Sequence, residues 1–291
     1  MKQRTETSRK MKELFVPPPV AAACLTLLGY LAAIVALTWA AQRAANVAAT
    51  VVAAALLASC FKGLNNIVHE CSHRSFCRSL RANRALGIGV CMLLLTDFAS
   101  YLREHASHHR YLGDYTRDLD FQLRQQLDHS QRITWGRIAR DVLTLRVFAF
   151  YLPRVALGNP QHLVGAALLV GVLVALGMAG AWHAVSALVL SYVVFLAVLR
   201  YLIDIVDHGG LYRADVEELH KSRNFIIRNP LLRWMLFPRN DCYHLVHHLY
   251  PYVPVSCFGQ AHALLLEEDD YRRLPHAARL AAFDATAQEP V

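Results

Sequence analysis

The sequence is poor in charge and lacks the cysteine pattern of a secreted protein. Only 18% of its 291 residues are charged, whereas 55% are hydrophobic. Its seven cysteines include no C-x-x-C pair, and several of them lie in apolar runs. We therefore expect buried or cytosolic thiols instead of disulfides. The shortage of charge argues against a disordered chain and indicates an integral membrane protein.

Two cofactor fingerprints are also missing. The chain has no G-x-G-x-x-G, the motif that binds dinucleotides, and no His-Pro-Gly-Gly, which would mark a fused cytochrome b5 haem domain. It has no internal repeat and no low-complexity linker. If this protein carries out redox chemistry, its electrons must come from a separate protein.

Four apolar runs are long enough to cross a membrane. They cover residues 20–41, 44–61, 163–182 and 184–206, and each approaches the roughly 20 residues that a hydrocarbon core requires. The predicted fold is therefore an all-α integral membrane protein with four transmembrane helices in two hairpins. A cytoplasmic helical cap, formed by the polar segments, would hold the functional site.

The N-terminal tail sets the predicted orientation. Residues 1–19 are basic, so they should stay in the cytoplasm. Two hairpins then return the chain to that side, which places residues 62–161 and everything after Asp207 in the cytoplasm. We expect a multi-pass protein of the bacterial inner membrane with its active site on the cytoplasmic face. The predicted membrane domain covers residues 20–266, and residues 267–291 form a polar C-terminal tail.

Eight histidines form three clusters, H-x-x-x-H once and H-x-x-H-H twice. They are His69 and His73, then His105, His108 and His109, then His244, His247 and His248. Residues three and four positions apart share one face of a helix. The predicted topology places all three clusters on one side of the membrane, so we interpret them as a metal site. A histidine-rich set suits iron, copper, zinc or nickel better than magnesium or calcium.

A single histidine is more often a surface residue or a satisfied core residue than a ligand. Six of the seven histidines outside the clusters, all except His208, are assigned to the surface or the membrane interface: His129, His162, His183, His220, His262 and His276. Two H-x-x-H-H clusters in a chain with 15 histidines are a rare coincidence, so that explanation does not extend to the clusters.

The three clusters resemble the histidine boxes of the membrane fatty acid desaturase and hydroxylase superfamily. The segment HHLYPYVP after the third cluster and the segment NPLLRWM at residues 229–235 are also similar to that superfamily. The resemblance extends over residues 61–266. It implies an all-helical membrane enzyme that carries two non-haem iron ions, uses O2, and removes or hydroxylates unactivated C–H bonds.

The resemblance implies that the eight clustered histidines bind the two iron ions and are the catalytic residues. It implies a ninth ligand, His208, because the superfamily has a histidine four residues after an asparagine that contacts the metal through water. Asp204 takes the place of that asparagine here, so Asp204 is a further candidate ligand, directly or through water. Asp120 and Asp241 are candidate hydrogen-bond partners of the ligating imidazoles.

The resemblance further implies an O2-dependent oxidoreductase. The favoured reaction is desaturation of a fatty acyl chain, and the alternative is hydroxylation, ketolation or desaturation of a carotenoid or a small metabolite. The expected electron donor is a ferredoxin or a cytochrome b5-type protein with its reductase. We expect a lipid or acyl substrate and no nucleic-acid partner.

Different functions follow if the clusters are taken separately. His69, Glu70 and His73 also match the H-E-x-x-H motif of zinc proteases, with Glu70 as the base. An intramembrane protease would leave both H-x-x-H-H clusters unexplained. A metal transporter would carry ionisable groups inside its spans, and a haem protein would need histidines facing each other across spans. Iron stoichiometry and optical spectra separate these alternatives.

Overall fold

The computed structural model describes residues 2–277, and α-helices make up most of this range. The helices are α1 (Lys2–Glu13), α2 (Val20–Ala44), α3 (Val47–Ser72), α4 (Leu80–Leu93), α5 (Phe98–Tyr111), α6 (Leu119–Gln122), α7 (Trp135–Leu143), α8 (Arg146–Tyr151), α9 (Pro160–Met178), α10 (Trp182–Leu190), α11 (Leu196–His208), α12 (Pro230–Leu236), α13 (His244–Leu249), α14 (Phe258–Leu265) and α15 (Asp269–Arg272). Within residues 2–277 no strand forms, and one isolated bridge joins Ile226 to Ala277. The all-helical class predicted from the sequence is confirmed.

Four helical segments have the length and composition of membrane spans. They are α2, α3, α9 and the run Trp182–His208, in which a π-helical turn at Ser191–Phe195 joins α10 to α11. They coincide with the four apolar runs of the sequence. The largest difference is in α3, which continues to Ser72 beyond the predicted end at residue 61. One continuous helix therefore holds both a candidate span and the first histidine cluster.

The chain divides into two compact units. The span unit consists of Pro18–Leu102 and Tyr151–Arg200, and it contains most of the candidate spans. The histidine unit consists of Met1–Pro17, Arg103–Phe150 and Tyr201–Val291. Neither unit is continuous in sequence, so each must form from segments that are far apart along the chain.

In the span unit, α3 is the central helix. It contacts α2, α4 and α10, and 56% of its apolar window is buried, compared with 6% in α2 and 11% in α9. The outer helices expose large apolar side chains such as Leu25, Val35 and Trp39. A continuous surface of this kind is unfavourable in water and favourable in a lipid bilayer. The span unit is therefore compatible with a membrane protein.

Local signals in the sequence explain where these helices begin and end. Ala45 adopts a left-handed conformation with φ of 48° and ends α2, and the Asn46 side chain then accepts a hydrogen bond from the Ala49 amide at 2.9 Å. The same type of cap begins α9, where Asn159 precedes Pro160 at the first helical position. Asparagine at a helix start satisfies an otherwise unpaired amide, and proline there costs no hydrogen bond.

A sharp bend separates α4 from α5. The two helices are joined by a break of at most four residues and are inclined at 104° to each other. With 14 residues, α4 is about 21 Å long, which is short of a bilayer crossing. After the bend, α5 carries the second histidine cluster.

Both ends of the described chain contribute to the histidine unit. The predicted N-terminal tail contains α1, whose Met11 side chain is fully buried in a core with Leu245, Val246, Phe258 and Tyr271. Tyr271 belongs to the segment predicted as a polar C-terminal tail. Residues 278–291 of that tail lie outside the described range, and the predicted domain limits stay predictions.

Candidate metal centre

Within the histidine unit, the second and third histidine clusters each divide their side chains between two groups. Seven histidines take part. One group contains His108, His208, His244 and His248, and the other contains His105, His109 and His247. In each cluster the two histidines four positions apart share a group and the middle histidine belongs to the other, because adjacent residues such as His108 and His109 point about 100° apart around a helix.

The candidate ligand atoms of the four-histidine group lie within 4.8 Å of one another. The Nε2 atom of His244 is 2.9 Å from Nε2 of His208 and 3.0 Å from Nε2 of His248. Metal–nitrogen bonds of about 2.0–2.1 Å place neighbouring ligand nitrogens about 3 Å apart. The spacing of these three atoms therefore fits a shared metal ion.

The other ring nitrogen of each histidine in this group faces an oxygen acceptor. Nδ1 of His108 is 2.9 Å from the Asp118 carboxylate, and Nδ1 of His208 is 3.1 Å from the carbonyl oxygen of Lys221. In the remaining two pairs, each 3.4 Å apart, Nδ1 of His244 faces Asp207 and Nδ1 of His248 faces Glu218.

These acceptors determine the tautomers. A carbonyl or carboxylate oxygen accepts only, so the neutral rings of His108 and His208 carry their proton on Nδ1 and keep a lone pair on Nε2. Nε2 of His208 then directs a lone pair at Nε2 of His244, 2.9 Å away, and Nε2 of His248 lies 3.0 Å from the same His244 atom. Imidazole nitrogens this close need a proton or a metal cation between them, so the donor set fits a bound metal ion.

Among these acceptors, Asp118 is fixed by further hydrogen bonds from its surroundings. Its side chain is fully buried, accepts a hydrogen bond from the Tyr212 hydroxyl at 2.9 Å, and accepts from the Phe121 amide at 3.1 Å. Burial alone would raise the pKa of Asp118, but His108 and these hydrogen bonds hold the pKa below its usual value. The carboxylate is therefore ionised at neutral pH and available to orient His108.

Burial also keeps His248 ready to bind a metal. Its ring is completely buried, and this burial, followed by the charges of the neighbouring histidines, lowers the pKa of His248 well below its ordinary value. A metal ligand must be a neutral imidazole, so the environment favours the form that binds.

The three-histidine group has the same Nε2 spacing. Nε2 of His109 is 3.1 Å from Nε2 of His105 and 2.9 Å from Nε2 of His247. In the span unit, the remaining two clustered histidines, His69 and His73, lie at the end of α3 with ring centroids 5.1 Å apart. Each cluster thus retains the helical spacing that its sequence predicts.

Three acidic residues named from the sequence have the following positions. Asp204 and Asp120 both pair with the guanidinium of Arg124, which lies 4.7 Å over the ring of Phe121. Asp241 lies in the 3-10 segment Pro238–Tyr243 that precedes α13. Their roles as a metal ligand or as partners of ligating imidazoles stay predictions.

His129 was predicted to be exposed, and that prediction is wrong. Its side chain is fully buried, and its ring lies 4.7 Å from the ring of Phe121. The backbone explains the burial, because the His129 amide donates to the Tyr115 hydroxyl at 2.6 Å and its carbonyl accepts from the Gly210 amide at 2.8 Å. These contacts draw a polar loop into the core.

Of the carboxylates that face the ligating rings, the sequence analysis missed Asp207 and Glu218, and it did not single out Asp118 among the acids near the second cluster. Asp118, Asp207 and Glu218 all lie within ten residues of a clustered or predicted ligand histidine, counting along the chain, but so do several other acids. The useful signal would have been the adjacency of Asp207 to His208. Nothing in the sequence distinguishes Asp118 from Asp114 or Asp120, because the choice depends on how the loop after α5 folds back.

The fold and the site together define an all-helical protein with candidate membrane spans and a histidine-rich centre that could bind metal. A family model described as "Fatty acid desaturase" matches residues 45–279. The chain therefore belongs to the fatty acid desaturase family, as the histidine clusters predicted.

A curated relative supports this assignment. The dihydrorhizobitoxine desaturase of Bradyrhizobium elkanii is 22% identical over 235 residues, which cover 73% of this chain and 66% of that protein. The present chain thus spans slightly less than two thirds of the length of this relative. The intramembrane protease alternative gains no support from either comparison.

Proposed function

We propose that this protein is an O2-dependent membrane desaturase whose nine predicted histidines bind two iron ions. The observation that carries the proposal is the convergence of Nε2 atoms in the four-histidine group, with Nδ1 of His108 and of His208 held by an oxygen acceptor. Family membership supplies the reaction class. His69 and His73 are included because they occupy the first histidine box of that family.

The proposed reaction converts a CH2–CH2 unit into a CH=CH unit. Two hydrogens leave the substrate, two electrons and two protons come from outside, and one O2 becomes two water molecules. The iron ions, when bound, would supply the O2 chemistry that a strong C–H bond requires. The electrons would come from a ferredoxin or a cytochrome b5-type protein with its reductase, because the chain has no nucleotide or haem fingerprint of its own.

The residues of this chain have three tasks in that reaction. Asp118 holds the ring of His108 in the tautomer that leaves Nε2 free, and the carboxylates of Asp207 and Glu218 lie beside the rings of His244 and His248. The burial of His108 and His248 keeps bulk water away from the group. The helices fix the distances between the Nε2 atoms of the histidines.

A cavity of about 460 Å³ in the span unit supports an amphiphilic substrate. It lies beside the last turn of α3, which carries the first histidine cluster, and Ile88, Phe98 and Leu102 supply an apolar wall. Arg74 and Arg84 also line the cavity, and neither has an ion-pair partner among residues 2–277. The apolar wall would contact an acyl chain, and the two arginines would pair with its acidic head group. The volume of the cavity falls within the usual range of ligand sites.

A small anionic metabolite is the second candidate substrate. The Bradyrhizobium relative is named a dihydrorhizobitoxine desaturase. The same pair of arginines would bind the acidic group of a compact substrate. Hydroxylation or ketolation would begin with the same removal of hydrogen, so substrate placement would decide the product.

We further propose that the candidate spans form two hairpins in the bacterial inner membrane, with the histidine unit in the cytoplasm. The basic N-terminus supports this orientation through the positive-inside rule. An acidic electron donor would be attracted by the net charge of +8.

The test compares His247→Ala with His183→Ala in a bacterial host that also expresses a ferredoxin and its reductase. His183 lies outside both groups and contacts the Thr50 hydroxyl, so its substitution is a matched control. Iron per purified protein is measured by elemental analysis, and lipids and soluble metabolites are compared by mass spectrometry. We expect two irons and a new unsaturated product with the wild type and with His183→Ala.

His247→Ala should lose iron and product while still inserting in the membrane. A new double bond in an acyl chain would support the first substrate, and one in a soluble acid would support the second. A wild-type protein that binds no iron under reducing, anaerobic loading would refute the proposal.

A further inference from the structure

Helix α13 carries three of the clustered histidines but lacks a local cap. It spans only His244–Leu249, and the preceding residue, Tyr243, makes no capping hydrogen bond with its side chain. The amides of Leu245 and Val246 instead donate to Oδ1 of Asn224, at 3.0 and 3.3 Å. A residue about 20 positions earlier thus satisfies the first turn of this helix, where amides have no partner inside the helix.

Asn224 is itself held by the last described segment of the chain. Its side chain is buried, and Nδ2 donates to the Tyr271 hydroxyl at 2.7 Å and to Nδ1 of His276 at 3.1 Å. The Tyr271 hydroxyl also contacts Nδ1 of His262 at 2.7 Å. Both hydrogens of the Asn224 amide therefore have an acceptor.

The hydrogen bonds of this network are mutually consistent. Nε2 of His276 is 2.8 Å from the carbonyl oxygen of Tyr271, so Nε2 carries the proton and Nδ1 is free to accept from Asn224. The Tyr271 hydroxyl accepts from Asn224 and can donate to His262. Turning the Asn224 amide over would place its NH2 group against the amides of Leu245 and Val246, so only one orientation satisfies every group.

The surroundings make this network rigid. The rings of Tyr271 and His276 stack with centroids 4.3 Å apart, and the Ile226 amide donates to the His276 carbonyl at 2.9 Å. The Phe225 amide donates to the carbonyl of Cys242, just before α13, at 2.8 Å. Asn224 is therefore fixed by its backbone neighbours as well as by its side chain.

We propose that Asn224, held by Tyr271 and His276, is a positioning residue for the metal centre. It fixes the rotation and start of α13 and so determines where Nε2 of His244 and His248 lie. This inference rests on the proposed function, because it concerns the geometry of the same metal site. None of the three network residues belongs to either histidine group.

The chain offers a matched control. Asn229 caps α12 through the same atom, with Oδ1 accepting from the amides of Leu231 and Leu232 at 3.0 Å each. Helix α12 belongs to the histidine unit but carries no histidine. Asn229→Ala therefore removes an equivalent cap without touching a helix that bears ligands.

The experiment titrates metal-free, full-length protein in detergent with Co²⁺, whose visible spectrum reports ligand geometry. Wild type, Asn224→Ala, Tyr271→Phe and Asn229→Ala are compared for stoichiometry, affinity and spectrum, and thermal unfolding is measured on the same samples. We expect Asn224→Ala to weaken one of the two sites by about 10–100-fold, the usual effect of losing a residue that orients a ligand, and to change the visible band. Tyr271→Phe should weaken the affinity of the same site and change the same visible band, but by a smaller amount.

Asn229→Ala should lower the unfolding temperature and leave the Co²⁺ spectrum unchanged. If Asn224→Ala and Tyr271→Phe both keep the wild-type spectrum and affinity, the network has only a structural role and the inference is wrong. If Asn224→Ala does not fold, Tyr271→Phe alone decides the question. Failure of the wild type to bind two ions would instead refute the proposed function.

Discussion

The two units of this protein distribute polarity in opposite ways. The span unit exposes large apolar side chains along α2 and α9, whereas the histidine unit fully buries charged groups such as Asp118 and Asp141. Burial of an ionised side chain is costly unless it is paired and hydrogen-bonded. Asp118 and Asp141 both meet that condition, so the core of the histidine unit is held by polar pairs as well as by apolar contact.

This difference shows how each unit is stabilised. Lipid would remove the cost of the apolar exterior of the span unit, so its internal contacts need only give close helix packing. The histidine unit holds seven imidazoles near one another, and it gives Nδ1 of His108 and Nδ1 of His208 a fixed oxygen acceptor. Substitutions should therefore act through different forces in the two units.

The largest effect is expected at Asp141 in the histidine unit. Its buried carboxylate accepts from the Tyr201 hydroxyl at 2.8 Å and lies 3.1 Å from Arg146 and 3.8 Å from the buried Arg137. Asp141→Ala should lower the free energy of unfolding by about 3–5 kcal/mol, because it leaves the buried Arg137 guanidinium without this counter-charge and the Tyr201 hydroxyl without its acceptor. Thermal unfolding in detergent measures this loss.

The control for that variant is Asp215→Asn. Asp215 forms a similarly short ion pair with Arg213 at 2.7 Å, but both side chains are exposed. We expect no measurable change in unfolding temperature, since exposed pairs contribute little. Equal effects at Asp141 and Asp215 would contradict the view that buried pairs hold this unit.

A smaller and more specific effect is expected for Asp118→Asn. The substitution removes the negative charge that orients His108, so metal affinity should fall by about 10–100-fold, with little change in helix content. Metal titration followed by circular dichroism tests this expectation. Asp114→Asn, four residues away and with a carboxylate that pairs with Thr116 and Arg117, should bind metal as the wild type does.

The span unit should respond to packing instead of charge. A Cβ atom at Gly165 on α9 would lie 2.1 Å from the carbonyl oxygen of Met92, whereas a Cβ at Gly171 on the same helix meets nothing within 4 Å. Gly165→Ala should therefore destabilise the protein by about 1–3 kcal/mol. Gly171→Ala should be neutral or slightly stabilising, and a similar loss at both glycines would show that helix packing is not the cause.

The smallest effect concerns pH. Burial, with a further contribution from His276, lowers the pKa of His262 to about 4 from its ordinary 6.5. The unfolded chain binds this proton more readily, so the neutral network contributes stability above pH 6.5 that is lost as the pH falls toward 4. Tyr271, His276 and Tyr243 face the ring, so no carboxylate among these contacts offsets the effect.

Unfolding temperatures at pH 7 and pH 5 measure this contribution. His262→Gln should reduce the loss of stability between the two values, because glutamine does not titrate. An identical loss in wild type and variant would assign the pH dependence to other groups, such as the clustered histidines.

Short-range patterns determined a large part of this protein from the sequence alone. Apolar runs of about 20 residues predicted the four candidate spans, and the spacing of His105, His108 and His109 predicted one helix with its histidines on a shared face. The three clusters also predicted the family, which the family model confirms. Each of these signals lies within a single helix, so no knowledge of the tertiary structure was needed to find it.

Tertiary structure decided the rest. It selected Asp118 over its neighbouring acids as the partner of His108, buried His129, and placed Asn224 at the start of α13. Each of these contacts joins segments that are separated by at least ten residues or depends on a loop folding back. These contacts form because buried polar groups need hydrogen-bond partners once the chain is compact. The linear sequence pattern does not indicate which groups will pair.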